Sequence, residues 1–273
     1  MRILLIGDIV GKPGRRIVRQ AVAGLVEHER IDLAIANAEN SAAGSGITPA
    51  NYEELMAAGI DAITLGDHIY RRREIYRILE TKDNIVKPAN YPPEAPGKEF
   101  AVVTSAGGDK VAIISLIGRV FMKPADCPFA AVDRVLRNLD KTIKVIVVDV
   151  HAEATSDKQA LGRYLDGRVS AVLGTHTHVP TADECLLPGG TAFQCDVGMT
   201  GPYDSILGRR ADRVIETTRT FMPLAFDVAS NDVRLGGTIV DIDAATGKAT
   251  DIRRICVTEE QATALSQSDS APR

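Results

Sequence analysis

The feature that most constrains this chain is a rhythm in its first third. Short apolar runs at residues 2–6, 33–36 and 62–65 alternate with stretches of helical periodicity. Parallel strands can be joined only through a crossover, so this strand–helix alternation predicts a parallel sheet covered by helices. The first helix opens at Pro13-Gly14 and runs to about Glu29. The second has Thr48 as N-cap and Pro49 at its first position, and ends near Gly59. The third is predicted over residues 71–80. A residue able to do chemistry stands after each apolar run: Asp8, then Glu39-Asn40, then Asp67-His68. Loops at the carboxyl ends of parallel strands are where such sheets place reactive groups.

Further along, the proline-rich residues 87–96 read as a surface loop. Two strands, 100–105 and 111–116, flank Ala106-Gly107-Gly108-Asp109, a hairpin signature. Helices are predicted at 129–139 and 157–165, and strands at 144–150 and 169–173. In the last third, strands at 191–195, 223–228, 233–241 and 250–257, with a helix near 209–220, predict a second, more antiparallel sheet packed on the first. Residues 258–273 are polar and rich in Ala and Ser, so a flexible tail is expected after one domain spanning residues 1–257.

With 273 residues, 45% of them hydrophobic and 25% charged, the chain has the balance of an average soluble protein. The net charge of -4 provides no bulk basic field for nucleic acid, although a local basic patch remains open. Four cysteines without a CxxC pair suggest free thiols in a reducing compartment. No apolar run approaches the roughly 18 residues of a membrane span. The first residues lead straight into a strand without the pattern of a signal peptide, so no membrane association and a cytoplasmic location are expected.

The segment Gly174-Thr175-His176-Thr177-His178 follows the run at 169–173. Residues i and i+2 of an extended segment point the same way, so the two imidazoles are expected to reach one small volume. His151 likewise follows the run at 144–150. Oxygen donors mixed with neutral imidazoles suit Mn, Fe, Zn or Ni better than Ca or Mg. Seven or so ligands are too many for one ion and suit two that share a carboxylate.

The segments GDIVGKPG, NAEN, GDH, VDVHAEATSDK and GTHTHVPTAD, followed by CDVGMTGP, resemble the calcineurin-like metallophosphoesterases. More closely they resemble the YmdB-type branch, bacterial proteins regarded as cyclic-nucleotide phosphodiesterases. The resemblance runs from residue 1 to about residue 257 and implies an α/β fold, a four-layer α-β-β-α sandwich of two mixed sheets flanked by helices. It also implies a dinuclear site in which Asp8, Glu39, Asn40 and His178 serve one ion. Glu39 would bridge to a second ion held by Asp67, His151 and His176. His68 would protonate the leaving alkoxide as general acid after attack by a metal-bound hydroxide. Fe or Mn is the foremost expectation for the metal, with Zn and Ni next. A small phosphodiester such as a 2′,3′-cyclic nucleotide is the implied substrate, and a homo-oligomer the implied assembly. This chain departs from the wider superfamily in having Asp8-Ile9-Val10 in place of Asp-x-His, a loss the YmdB-type branch shares and for which Asn40 is the natural replacement. It also has Gly66-Asp67-His68 where Gly-Asn-His is usual, which adds negative charge beside the second ion.

Blander readings stand beside these. Asp8 can cap a turn, Asn40 can close an Asx-turn, and His68 can merely orient Asp67. His28, between Glu27 and Glu29, reads as solvent-facing. The basic run Arg71, Arg72, Arg73 reads as a solvated helix start or as a guide for an anionic substrate, and Lys12, Arg15 and Arg16 divide the same way. Glu153 and Asp157 either orient His151 or cap a helix; Asp183 and Asp196 stay outside the site, and Cys195 reads as core. The spacing of Gly7 and Gly11, with Pro13 where Ser or Thr belongs, excludes a P-loop. A metal-dependent amidohydrolase would carry its HxH pair after the first strand of an eightfold barrel, which this chain lacks. The alternative to an esterase is a regulatory or RNA-associated protein with a largely structural metal site and weak phosphatase activity.

Overall fold

The computed structural model describes residues 1–268. The chain opens with β1 (Arg2–Ile6) and the two-residue β2 (Asp8–Ile9), followed by α1 (Gly11–Glu29), β3 (Leu33–Asn37), α2 (Pro49–Ala57) and β4 (Ala62–Thr64). A 3-10 turn at Arg73–Ile75 leads into α3 (Tyr76–Thr81) and β5 (Ile85–Val86). The middle supplies β6 (Phe100–Thr104), β7 (Lys110–Ile117), α4 (Pro128–Asn138), β8 (Val145–His151), α5 (Thr155–Leu165) and β9 (Ala171–Thr175). The last third holds β10 (Cys185–Leu186), β11 (Ala192–Gln194), β12 (Met199–Pro202), α6 (Ala211–Thr220), β13 (Val233–Asp243), β14 (Lys248–Thr258) and α7 (Glu259–Ser268).

Two mixed sheets result. The first runs β2-β12-β13-β1-β3-β4-β5, with β14 also on β13; the second runs β10-β11-β9-β8-β7-β6. β1 shows how the layers are specified. Its side chains alternate, so Ile3 and Leu5 meet Val111, Ile113, Val145 and Val147 of the second sheet between the layers. Leu4 and Ile6 point the other way, onto Ile17, Val18 and Val22 of α1. On the far side, Ile114, Val148 and Val150 pack against Val132 and Val135 of α4 and Leu161 of α5. The order is helix, sheet, sheet, helix, as the resemblance implies. Every strand residue of β1 after Arg2 is buried, which matches an apolar run without polar alternation.

Local signals place several boundaries well. Thr48 caps α2 by accepting from the backbone of Asn51, whose side chain accepts in return from the Thr48 backbone. Other expectations are corrected. The strands of the last third do not build a second antiparallel sheet: β13 inserts beside β1 and carries β12 and β14, while the second sheet comes from residues 100–194 and is parallel through β7-β8-β9-β11. Residues 223–228 contribute one bridge, between Arg209 and Val228, in place of a strand. The proline-rich stretch is not wholly surface, because Lys87 to Asn90 are buried and the Ala89 amide donates to the Ser115 carbonyl.

The chain from Thr258 is also not a fraying tail over its described part. Thr258 ends β14, and α7 packs on α1 through the fully buried Ala262 and through Leu265 one turn on. Gly24 of α1 permits the close approach, since a Cβ there would lie 2.7 Å from the Leu265 carbonyl oxygen. Residues 269–273 of that expected tail lie outside the described residues.

Candidate metal centre

The carboxyl ends of β3, β4, β8 and β9 converge with β2, and every side chain singled out at those ends meets there. Asp8 sits on β2, held in place because Met199 of β12 pairs beside it. Glu39 and Asn40 follow β3, Asp67 and His68 follow β4, His151 ends β8, and His176 and His178 follow β9.

Two donor groups share the buried carboxylate of Glu39. On one side, Glu39 Oε1 lies 3.1 Å from His151 Nε2, which is 3.3 Å from Asp67 Oδ1 and 3.0 Å from His176 Nδ1. One ligand atom from each of Glu39, Asp67, His151 and His176 falls within 4.8 Å of the others. On the other side, Asn40 Nδ2 lies 3.3 Å from Glu39 Oε1, 3.4 Å from Asp8 Oδ1 and 3.3 Å from His178 Nε2. His178 Nε2 is itself 3.7 Å from Asp8 Oδ1. His68 stands across the mouth, its Nδ1 2.8 Å from Asn40 Oδ1 and its backbone N–H donating to Glu39 Oε2 at 2.8 Å.

The histidine pair reaches this place by a route different from the expected one. β9 stops at Thr175, and His176 and His178 adopt φ of 90° and 64°, so they are not alternate residues of a strand. Left-handed backbone costs a non-glycine residue on the order of 1 kcal/mol. Hydrogen bonds hold it: the His176 N–H donates to Asp8 Oδ2 at 3.0 Å, and the Thr177 N–H to Asp196 Oδ2 at 3.1 Å. The turn sends His176 to one donor group and His178 to the other.

Burial and charge oppose each other throughout. Burial pushes the Asp8 carboxyl up, but the facing His178 and His151 imidazoles outweigh it and hold Asp8 down to about 2. Glu39 goes the same way, held well below the carboxylate range by His151 and His68 against its burial. His151 is pushed down by burial and lifted well above the usual imidazole range by Glu39 and Asp67, while His178 is lifted by Asp8. His176 moves down, through burial and the neighbouring His151.

Partners behind the site were not legible as ligands. His151 Nδ1 lies 2.9 Å from Thr175 Oγ1, and that hydroxyl donates to the buried Asp149 at 2.7 Å. Thr64 and Asn37 also donate to Asp149. With Thr175 oxygen accepting, one imidazole proton sits on Nδ1, and Nε2 faces Glu39 and Asp67, where a bound cation would take its lone pair. The available signal was an acid two residues before His151 within the apolar run at 144–150. Glu153 Oε2, 3.1 Å from His176 Nε2, acts similarly on His176. Asp157 does neither job expected of it: its carboxylate accepts from the backbone of Arg119 and Val120. Asp196 pairs with the wholly buried Lys158 at 2.8 Å and accepts from Gly198, while Asp183 accepts from Thr181 and the Cys195 backbone. Cys195 is core, and His28 is exposed, as expected. Arg15 pairs with Glu54 and Arg16 with Glu259, so both serve packing.

The donor set fits divalent metal ions, because it combines buried ionised carboxylates with imidazole nitrogens turned inward.

The fold and site define an α/β protein with a cluster of potential metal ligands at the strand ends, and comparison with known proteins gives the family. The sequence profile of the YmdB-like proteins matches residues 4–255, and the chain belongs to that family. It is 46% identical over 260 residues to a 2′,3′-cyclic-nucleotide 2′-phosphodiesterase of Bacillus subtilis strain 168, covering 95% of this chain and 98% of that protein. A crystal structure of a hypothetical protein from Thermus thermophilus superposes with a TM-score of 0.88 at 42% identity, over 95% of this chain and 100% of the other. A structure described as a novel phosphatase from Mycoplasma pneumoniae also gives 0.88, at 31% identity, over 94% and 93%.

Proposed function

We propose that this protein is a two-ion phosphodiesterase that opens 2′,3′-cyclic nucleotides at the 2′ ester. The observation that carries the reading is the position of Glu39, fully buried and shared between two groups of donors. The activity of the Bacillus subtilis relative supports the substrate class. On this reading Asp8, Glu39, Asn40 and His178 hold one ion. Glu39, Asp67, His151 and His176 hold the other. When bound, two such ions supply Lewis acidity for a phosphoryl oxygen and lower the pKa of water. The mixed oxygen and imidazole donors favour Fe or Mn, with Zn or Ni compatible.

The chain's own groups then orient and move protons. The Asp149–Thr175 pair keeps His151 Nε2 free to donate its lone pair, and Glu153 does the same for His176 Nδ1. Asn40 presents Nδ2 to Asp8, Glu39 and His178 and Oδ1 to His68. A cation among those donors requires the two ends of the amide to be exchanged. Oδ1 then faces the cation, and the His68 Nδ1–H is answered by Glu39 Oε1, 3.1 Å away. His68 is half-buried at the mouth, so as imidazolium it can give its Nε2 proton to the departing 2′ oxygen and return to the neutral ring, leaving a 3′-phosphate.

Two measurements test the reading. Protein loaded with Mn or Fe hydrolyses 2′,3′-cyclic AMP to the 3′-nucleotide, loses the activity to a chelator and regains it with metal; no hydrolysis under those conditions defeats the proposal. His68→Ala lowers kcat by about 10²- to 10⁴-fold while leaving the metal content per chain unchanged. Undiminished turnover in that variant contradicts the acid assignment.

A further inference from the structure

Beyond Asp67 the site opens into a cleft of about 520 Å³ whose other lining residues include Tyr70, Arg71, Tyr91, Pro92 and Lys123. Its walls are built. The ammonium of Lys87, a residue only 1% exposed, donates to the carbonyls of Pro92 at 2.9 Å and Ala95 at 2.7 Å, which fixes the proline-rich wall from behind. The Tyr70 hydroxyl donates to the Pro96 carbonyl at 2.7 Å. Asn90 donates to the carbonyls of Ile117 and Asp126 and so ties this wall to the segment that carries Lys123. Tyr91 stacks on Tyr70 with centroids 6.1 Å apart and planes 29° apart. Burial, then the charge of Asp67 and Glu39, pushes its phenol up, which marks the ring as a neighbour of those acids.

Two cations face this cleft without an acid to answer them. Neither the Arg71 guanidinium nor the Lys123 ammonium makes a salt bridge or side-chain hydrogen bond among the described residues. Among the described residues Asp67 is the one acid of the lining, and it is turned toward His151 and His176 at 3.3 and 3.5 Å. A substrate whose only charge is the cyclic phosphate spends that charge at the donor cluster and leaves both cations idle. We propose that Arg71 and Lys123 bind a second phosphate, the one on the 5′ oxygen of the same ribose, with Tyr91 providing the flat wall for the nucleotide. This rests on the phosphodiesterase reading above and goes beyond it: the preferred substrate is a nucleotide 2′,3′-cyclic phosphate that also carries a 5′-phosphate. Its source is either a free 5′-phosphorylated mononucleotide or the last residue of a short RNA.

The test compares kcat/KM for three probes in metal-loaded protein: 2′,3′-cyclic AMP, its 5′-phosphorylated form, and a dinucleotide ending in a 2′,3′-cyclic phosphate. The wild-type protein prefers at least one 5′-phosphorylated probe over 2′,3′-cyclic AMP by about tenfold, the order expected of two solvent-facing charge contacts. The free-monoester and dinucleotide arms distinguish the two sources. In Arg71→Gln/Lys123→Gln the preference, taken as a ratio within each protein, falls to near unity, and the loss lies in KM. Taking the ratio removes any general loss of folding or metal. Equal use of all three probes by the wild type, or a preference that survives in the double variant, overturns the inference. If the wild type cleaves none of them, the phosphodiesterase reading fails separately, and binding of adenosine 3′,5′-bisphosphate decides the cleft. Weaker binding by the double variant supports it, and equal binding overturns it.

Discussion

Gly66 shows how little room the donor cluster leaves. A Cβ at that position would fall inside contact distance of His151 Nε2, an atom that a proposed ion needs, and of Glu39 Oε2, which accepts from the His68 backbone. Gly66→Ala is therefore expected to weaken metal binding by one to two orders of magnitude, about the range for disturbing a ligand's support. Equilibrium dialysis with elemental analysis measures this, and wild-type affinity in the variant would refute it. The protonation of the ligands gives a second prediction. His151 and His178 are lifted above the usual imidazole range, whereas Asp8 and Glu39 are held down and His176 is lowered. A lifted imidazole holds its proton to higher pH in the metal-free protein, and ligation requires it neutral. Metal uptake therefore releases protons, and affinity rises with pH through and above the ordinary imidazole range. Calorimetry in buffers of different ionisation enthalpy counts the protons, and uptake without release would contradict the assignment.

Among the elements, the turn after β9 depends on a group remote from the proposed chemistry. Lys158 of α5 and Asp196 after β11 are both fully buried, and Asp196 also accepts from the Thr177 backbone between the two histidines. Removing one member of such a pair strands the other charge in a dry interior. Lys158→Met is expected to cost about 3–5 kcal/mol of stability in denaturant unfolding. A loss below about 1 kcal/mol would show that Asp196 is solvated or repartnered. This dependence was not visible in the sequence, because nothing local links a lysine on a helix to an acid 38 residues later. Signals that act over a few residues were legible: the Thr48-Pro49 helix start, the glycine-rich hairpin turn, and acids and imidazoles at strand ends. The backbone of His176 and His178 was not, since its φ values follow from tertiary hydrogen bonds.

For the molecule as a whole, the layers were legible and the partition of strands was not. Periodicity identifies residues 233–241 as a strand but carries no information about its neighbour, and β13 pairs with β1 from the opposite end of the sequence. The fold thereby brings donors from residue 8 to residue 178 to one edge, with Glu39 between the two groups. The central claim is that this edge holds two ions through one shared carboxylate. Anomalous scattering from crystals of metal-loaded protein, collected at several absorption edges, measures ion number, element and position together. Two adjacent peaks flanking Glu39, both lost in Glu39→Ala, are the predicted result. A single peak, or two peaks that persist without the Glu39 carboxylate, would contradict it.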